Sequence, residues 1–317
     1  MTRFLSIGAV RTPRHGTSQT TLRARSIVFF LMSLRSSVCW SLLHLSRPIL
    51  SRAPKSTRLA DLASRLLTYE VLRAAPQPLR RSTVNGASFE LRLNDYVEAK
   101  AWLTGTMDPD VAAFCRQHLG RGGTALDVGA NIGFISVPLG KHAREIGARI
   151  IAVEALPENA RRLQNYVEVN GVAGIVSIVS TAAGAAAGSV ELAVDRTSGF
   201  TTNGVIGAAL RTDSLVTEVP VRTLDEICRE HAVEHIDVLK IDVEGFEPFV
   251  IQGAAELFAA GRVGAGVMEI NEFHLLRNGW SRQKVLALLT ELDLEPYSLL
   301  GGVSPAVDFN VAFRPRS

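Results

Sequence analysis

Cysteine is scarce in this chain. Cys39, Cys115 and Cys228 are three among 317 residues, odd in number and far apart. That spacing excludes a disulfide framework and a cysteine-ligated zinc site, and it fits a reducing compartment. Aromatic residues make up only 6% of the chain and the formal net charge is only +3. Both argue against a dedicated nucleic-acid binder. A membrane-spanning helix needs about 20 apolar residues. The strongest apolar run, Ile27-Val-Phe-Phe-Leu-Met-Ser-Leu34, is stopped by Arg35. No internal repeat is visible.

Apolar residues, by contrast, form 47% of the chain, enough for a sizeable core. Basic residues crowd the N-terminus, where Arg3 to Arg58 precede the first acid, Asp61. Residues 1–82 therefore read as an N-terminal extension and 83–317 as the main domain. Within the extension, residues 23–50 mix basic and apolar side chains in a way that fits a weak peripheral membrane contact. Leu62, Leu66, Leu67 and Val71 have helical spacing. Pro76-Gln-Pro78 with Arg80-Arg81 reads as a linker, and Phe89–Leu93 alternates as a strand does.

Ala125-Leu-Asp-Val-Gly-Ala-Asn-Ile-Gly-Phe134 says most about the chain. A short apolar stretch ends in an acid and then in two glycines. A second apolar stretch, Ile150-Ile-Ala-Val-Glu154, ends in another acid about twenty residues further on. This is the layout of a βαβ unit that holds a nucleoside cofactor at its strand ends. Gly129 and Gly133 are expected to let backbone approach the ligand. Glu154 sits where a carboxylate can accept hydrogen bonds from ribose hydroxyls. A dinucleotide site favours G-x-G-x-x-G, but here Asn131 replaces the middle glycine and Asp127 precedes the turn. A carboxylate there suits a cofactor with positive charge, such as S-adenosylmethionine. A plain strand-to-helix turn in some other α/β protein stays open at this point.

Strand and helix signals alternate after Thr124. Strands are expected at 124–128, 149–154, 175–180, 237–242, 263–270, 295–300 and 307–313. Helices are expected at 109–118, from Gly133, from Pro157, after the capping box Thr223/Glu226, and at 281–292. The fold class is α/β: a mostly parallel seven-stranded sheet with helices on both faces. Its closing pair of strands has a short connection, so one of them runs antiparallel. Residues 184–222 read as a hairpin and loop over the strand ends.

The second dense feature is Asp237-Val-Leu-Lys-Ile-Asp-Val-Glu-Gly-Phe-Glu247. Lys240 and Asp242 point to one side of a strand. A lysine in a buried strand needs an acid as partner. Glu244 follows at the strand's carboxyl end, where ligands bind in such sheets. An ion pair that merely fixes the strand is the plainer alternative.

Asp127-Val-Gly-Ala-Asn-Ile-Gly133 together with Leu239-Lys-Ile-Asp-Val-Glu-Gly245 and Glu269-Ile-Asn271 resembles the FkbM-type S-adenosylmethionine-dependent methyltransferases, over roughly residues 84–313. The resemblance implies a class I methyltransferase fold of Rossmann-like type. It also implies S-adenosylmethionine as donor and methylation of a hydroxyl on a sugar, glycan or natural product. Asp127, Gly129, Asn131 and Gly133 match the turn that holds the methionine portion, and Glu154 matches the ribose-binding acid. Ala182 matches a position whose backbone lies near adenine. The family often has an acid three residues on, where this chain has Ala185. Asp242, Glu244 and Glu269 match acids on the rim where the acceptor sits.

An alcohol must lose its proton as it attacks the methyl group. Asp242 or Glu244 is the first choice of base, with Lys240 orienting the carboxylate. His274 is second, and Glu269, Asn271 and His274 are expected at the substrate. A divalent metal is compatible with these oxygens and is not predicted. Residues 195–215, with Phe200 to Asn203, are expected to shape the acceptor pocket. The competing readings are an N- or RNA-directed methyltransferase and a non-catalytic S-adenosylmethionine-binding protein. The Asn/Asp-Pro-Pro-Tyr/Phe loop of amino-group methylation is absent after the fourth strand. Donor supply places the enzyme in the cytoplasm, with no nucleic-acid partner.

Overall fold

The structure is a computed structural model that describes residues 67–68, 71, 79–195, 204–205, 214–299, 301, 304–305 and 309–316. The membrane contact at 23–50, most of the helix before Ala74, Phe200–Asn203 and Gly302 lie outside the described residues. Among the described residues, no helix is long and apolar enough to cross a membrane.

β1 (Leu79–Val84) and β2 (Ala87–Arg92) form an antiparallel hairpin around Asn85 and Gly86, at φ 50° and 84°. Such a turn needs left-handed backbone at both central residues, which asparagine and glycine tolerate. β1 takes in Arg80 and Arg81, which the sequence pattern assigns to a linker, and begins ahead of the boundary at 83. Only Val84 of β1 is fully buried, so no apolar alternation marks it in the sequence. Leu67 and Val71 pack into the same core as the hairpin. α1 (Tyr96–Thr104) follows, with Asp95 at its N-cap accepting from the Glu98 N–H at 3.0 Å. α2 (Pro109–His118) starts at the expected proline.

Strands β3 (Thr124–Val128), β4 (Arg149–Glu154) and β5 (Val176–Ser180) alternate with helices α3 (Ser136–Ile146) and α4 (Pro157–Val169). Pro138 falls in the first turn of α3, where its missing N–H costs nothing. Ahead of its helix, the crossover from β5 carries a second sheet. It is made of β6 (Ala182–Ala183), β7 (Gly188–Asp195), β8 (Gly204–Val205) and β9 (Ser214–Arg222), in the order β6-β9-β7-β8. The expected hairpin is the antiparallel pair β7/β9. The expected capping box opens α5 (Leu224–Glu230).

β10 (Ile236–Ile241) leads to α6 (Glu247–Gln252) and α7 (Ala255–Ala259). β11 (Val263–Glu269) leads to α8 (Glu272–Arg277) and α9 (Arg282–Glu291). The chain closes with β12 (Leu294–Ser298) and β13 (Asn310–Pro315). The seven-stranded sheet has the order β12-β13-β11-β10-β3-β4-β5. All its pairs are parallel except those of β13, which runs antiparallel to both β11 and β12. This is the α/β arrangement expected from the sequence. β3 to β5 build outward one way and β10, β11 the other, so a topological switch point lies between β3 and β10.

Neighbouring residues of each central strand serve opposite faces. Ala125, Ile150, Val238 and Val267 enter one core with α2, α3, α4 and the hairpin. Leu126, Ile151, Leu239 and Met268 enter the other with α5, α6, α7 and α9. A sheet buried on both faces produces the near-continuous apolar runs seen in the sequence.

Candidate functional site

At the switch point, the ends of β3, β4 and β10 open into a cleft of about 130 Å³. Gly129, Asn131, Glu154, Ala182, Asp242 and Glu244 line it, with Leu156, Thr181, Val190, Leu192 and Phe246. Six of the residues expected from the sequence thus converge from four stretches of chain.

The glycine turn is built differently from expectation. Gly129 lies at φ 74°, and a Cβ there would stand 1.8 Å from the Asp242 carbonyl oxygen. A Cβ on Gly133, at φ 96°, would meet Leu163 Cδ1 at 2.4 Å and Val137 Cγ2 at 2.7 Å. Protein packing alone thus requires glycine at both positions; Gly129 also lines the cleft, and Gly133 does not. Gly129 and Ala130 donate N–H bonds to the Val153 carbonyl, pinning the β3 turn to β4.

Glu154 is buried and ties two turns together. Its Oε2 accepts from the Asn131 N–H at 2.8 Å, and its Oε1 from the Leu156 N–H at 3.0 Å. Burial raises its pKa, and these backbone bonds oppose the rise. A carboxylate has about four lone-pair sites, so capacity remains for further donors.

Asp127 lies under the turn at 2% exposure and does not line the cleft. Its Oδ2 accepts from Ser136 Oγ at 2.5 Å, and its Oδ1 pairs with Lys240 Nζ at 3.0 Å. Its charge is already met by lysine, which corrects the expectation that it faces a cationic ligand. Lys240 Nζ also reaches Asp242 Oδ2 at 3.5 Å and donates to the Gly129 carbonyl at 2.9 Å. Burial alone would lower the Lys240 pKa, but Asp127 and Asp242 outweigh it and hold the amine charged.

Asp242 faces the cleft and also a smaller pocket with Asp108, Lys240, Glu269 and Asn310. Burial pushes its pKa up to about 6; Lys240 opposes the rise, and Glu244 and Asp108 add to it. Burial, Asp242 and Glu244 push Glu269 further up, which favours its protonated form. Glu244 sits at φ 54° and pairs with His274 Nδ1, whose pKa Glu244 raises. His274 thus reaches the cleft only through Glu244. Asn271 does not line the cleft: it is the N-cap of α8, and its Oδ1 accepts from the Phe273 N–H at 3.1 Å. Among the described residues, no group of three or more His, Cys, Asp or Glu is placed to hold a metal ion.

Three contributors escaped the sequence pattern. Glu247 is buried, and its Oε1 accepts from the N–H groups of Val243 and Gly245, both at 3.1 Å, fixing the turn that carries Asp242 and Glu244. Its pKa rises to about 7 through burial. Asp108 makes no cap bond to its own helix and lies at φ 42°. Asp-Pro reads as a helix start, and nothing local in it points to a pocket. Asn310 comes from β13, whose pairing with β11 sets it opposite Glu269.

The sheet order, the switch-point cleft and the acid ending β4 define an α/β protein of the nucleoside-cofactor class. Residues 127–295 match the model of the methyltransferase FkbM domain, over half of the chain, and the chain belongs to the FkbM methyltransferase family. It is similar to the crystal structure of methyltransferase FkbM from Methylobacillus flagellatus KT, with 16% identity and a TM-score of 0.39. That match covers 80% of this chain, and this chain spans only 60% of that one. The METTL16 MTase domain matches with 13% identity and a TM-score of 0.44, covering 87% of this chain and 92% of that one. Cofactor-bound Rv0187 from MTB matches with 16% identity and a TM-score of 0.42, covering 67% and 82%. Nothing about substrate or cofactor follows from likenesses this distant. No curated protein matches the chain.

Proposed function

We propose that this protein is an S-adenosylmethionine-dependent methyltransferase that methylates a hydroxyl of a sugar, glycan or natural product. The observation that carries this is the convergence of Gly129, Asn131, Glu154 and Asp242 on one cleft at the switch point. Bound there, the donor supplies a methyl group on a positively charged sulfur. Glu154 accepts hydrogen bonds from the ribose hydroxyls. Gly129 and Asn131 flank the methionine portion. Leu156, Ala182 and Leu192 give the adenine an apolar slot, part of a third small cluster apart from the two main cores. Ala185 is exposed and does not line the cleft, so the slot gains nothing from that position.

Asp242 is the base, because it alone faces both the cleft and the pocket with Glu269 and Asn310. We assign the acceptor hydroxyl to that junction. Lys240 is a positioning residue that holds the Asp242 carboxylate, and Asp127 in turn holds Lys240. Protonated Glu269 can donate a hydrogen bond to the acceptor without adding charge. Alignment of the hydroxyl with the methyl group is the larger task, and a placed base adds about 10²–10⁴-fold. Donor supply puts this chemistry in the cytoplasm.

The test is release of S-adenosylhomocysteine from S-adenosylmethionine against a panel of sugars and lipid-linked glycans. Wild type should turn over at least one acceptor. Asp242→Asn should lose about 10²-fold or more in kcat and keep donor affinity within a few-fold. A wild-type protein that binds no donor ends the proposal.

A further inference from the structure

The large apolar side chains left in water are not spread evenly. Among the described residues six are exposed, and three of them, Phe273, Leu276 and Phe309, belong to one rim. Single residues of this kind need no explanation, but a group does. Phe273 and Leu276 lie one turn apart on α8 and are 69% and 61% exposed. Phe309 accepts the Ile270 N–H through its carbonyl at 2.7 Å, just ahead of α8. β13 runs antiparallel to β11 and sets Asn310 opposite Glu269, so Phe309 stands at the carboxyl ends of the parallel strands. The pocket of Asp242, Glu269 and Asn310 lies at that same end. α8 is clamped to the turn that carries the acids. His274 pairs with Glu244, Leu275 is fully buried, and Asn278 Nδ2 donates to the Gly245 carbonyl at 3.1 Å. A Cβ on Gly245 would stand 2.5 Å from the His274 carbonyl oxygen, so the two backbones are in direct contact. Phe273, Leu276 and Arg277 are left exposed.

The charge beside this patch has one sign. Residues 271–290 contain Arg277, Arg282 and Lys284 against the single acid Glu272, and His274 is already paired with Glu244. Exposed apolar side chains beside a surplus of cations complement one surface in particular, a lipid bilayer with anionic headgroups. Resting on the acceptor assignment above, we infer that this rim docks on an anionic bilayer, and that the acceptor hydroxyl belongs to a molecule anchored there. Phe273, Leu276 and Phe309 enter the boundary between headgroups and acyl chains, and Arg277 meets lipid phosphate. Because α8 is fixed to the turn after β10, docking presents the Asp242 pocket to hydroxyls carried at the headgroup surface. The basic and apolar run at 23–50 is then a second contact of the same kind, and two weak contacts with one membrane reinforce each other.

Cosedimentation of the full chain with vesicles tests this without knowledge of the acceptor. One vesicle is phosphatidylcholine alone, and the other carries about 30% phosphatidylglycerol. The protein should bind the anionic vesicles more tightly. Phe273→Ser with Leu276→Ser should lower that binding about tenfold or more, and Arg277→Gln should weaken the preference for the anionic vesicles. Val169→Ser is the control: Val169 is 62% exposed at the end of α4, by the amino ends of the strands, and its loss should change nothing. A second measurement separates the rim from residues 23–50. The fluorescence that Phe273→Trp adds should be quenched by vesicles with brominated acyl chains. Binding that the double variant leaves intact, or a Trp at 273 that brominated lipid does not quench, overturns the inference. So does a rim that buries itself in a second copy, seen as dimerisation lost in the double variant with no vesicle binding. None of these readouts uses the methyl donor, so their failure leaves the methyl-transfer reading to its own test.

Discussion

Lys240→Met removes the one cation between two acids and leaves the side chain's apolar length in place. Lys240 is 7% exposed and Asp127 is 2% exposed, so neither can turn to water for compensation. After the substitution Asp127 retains a single hydroxyl partner, Ser136. Asp242 is less affected, because its side chain is 30% exposed. The cost is thus essentially that of one orphaned buried carboxylate, about 3–5 kcal/mol for breaking such a pair. For a folded unit of this size, 1 kcal/mol moves Tm by roughly 2–4 °C, so Tm should fall by roughly 6–20 °C. Thermal unfolding followed by circular dichroism measures it. The double variant Asp127→Asn, Lys240→Met removes the orphaned charge and keeps an acceptor for Ser136, and it should recover at least half of the loss. A single variant within about 2 °C of wild type, or a double variant no better than the single, would refute the claim that this pair carries structural weight.

Three further outcomes are expected. Asp242, with its pKa pushed up to about 6, acts as a base only when ionised, so kcat should fall as pH drops through about 6 and level off above it. Its folded pKa lies above the unfolded value of about 3.9. The carboxyl therefore costs stability above about pH 6 and nothing below about pH 4, and Asp242→Asn should raise Tm at high pH only. Gly129→Ala drives a Cβ to 1.8 Å from a backbone carbonyl at φ 74°, which no side-chain motion relieves. It should cost more than about 3 kcal/mol in urea unfolding, whereas a glycine kept only for ligand clearance would lose binding and keep its stability.

The fold was most legible where burial is two-sided. Thr124–Val128 and Arg149–Glu154 read as strands because every inner position is apolar or paired, and both appear at those residues. Pro109, Pro157 and the Thr223/Glu226 box mark helix starts through chemistry confined to a few residues. β1 was missed because one of its faces is water and its side chains are mostly polar. The closing strands shifted: β12 begins at Leu294 and β13 at Asn310, because β13 takes its register from β11 and β12 takes its own from β13, not from local pattern. For the candidate site, residue types were legible and partners were not. Gly129 meets the carbonyl of Asp242, and Asp127 meets Lys240, each more than a hundred residues along the chain. Glu247 and Asp108 were passed over because their roles depend on where a turn folds back. Asn271 had a simpler role as a helix cap.

The small sheet in the crossover ahead of α5 makes the cleft depend on odd-and-even counting. Val190 and Leu192 line the cleft from β7, while Glu191 between them is exposed. They stand opposite Val219 and Thr217 of β9. Because side chains alternate across a strand, sliding β7 by a single position along β9 would exchange this greasy wall for Ser189 and Glu191. A slide of two positions would restore an apolar one. A one-residue insertion within β7 itself should therefore spoil this wall of the cleft, and a two-residue insertion should keep it apolar.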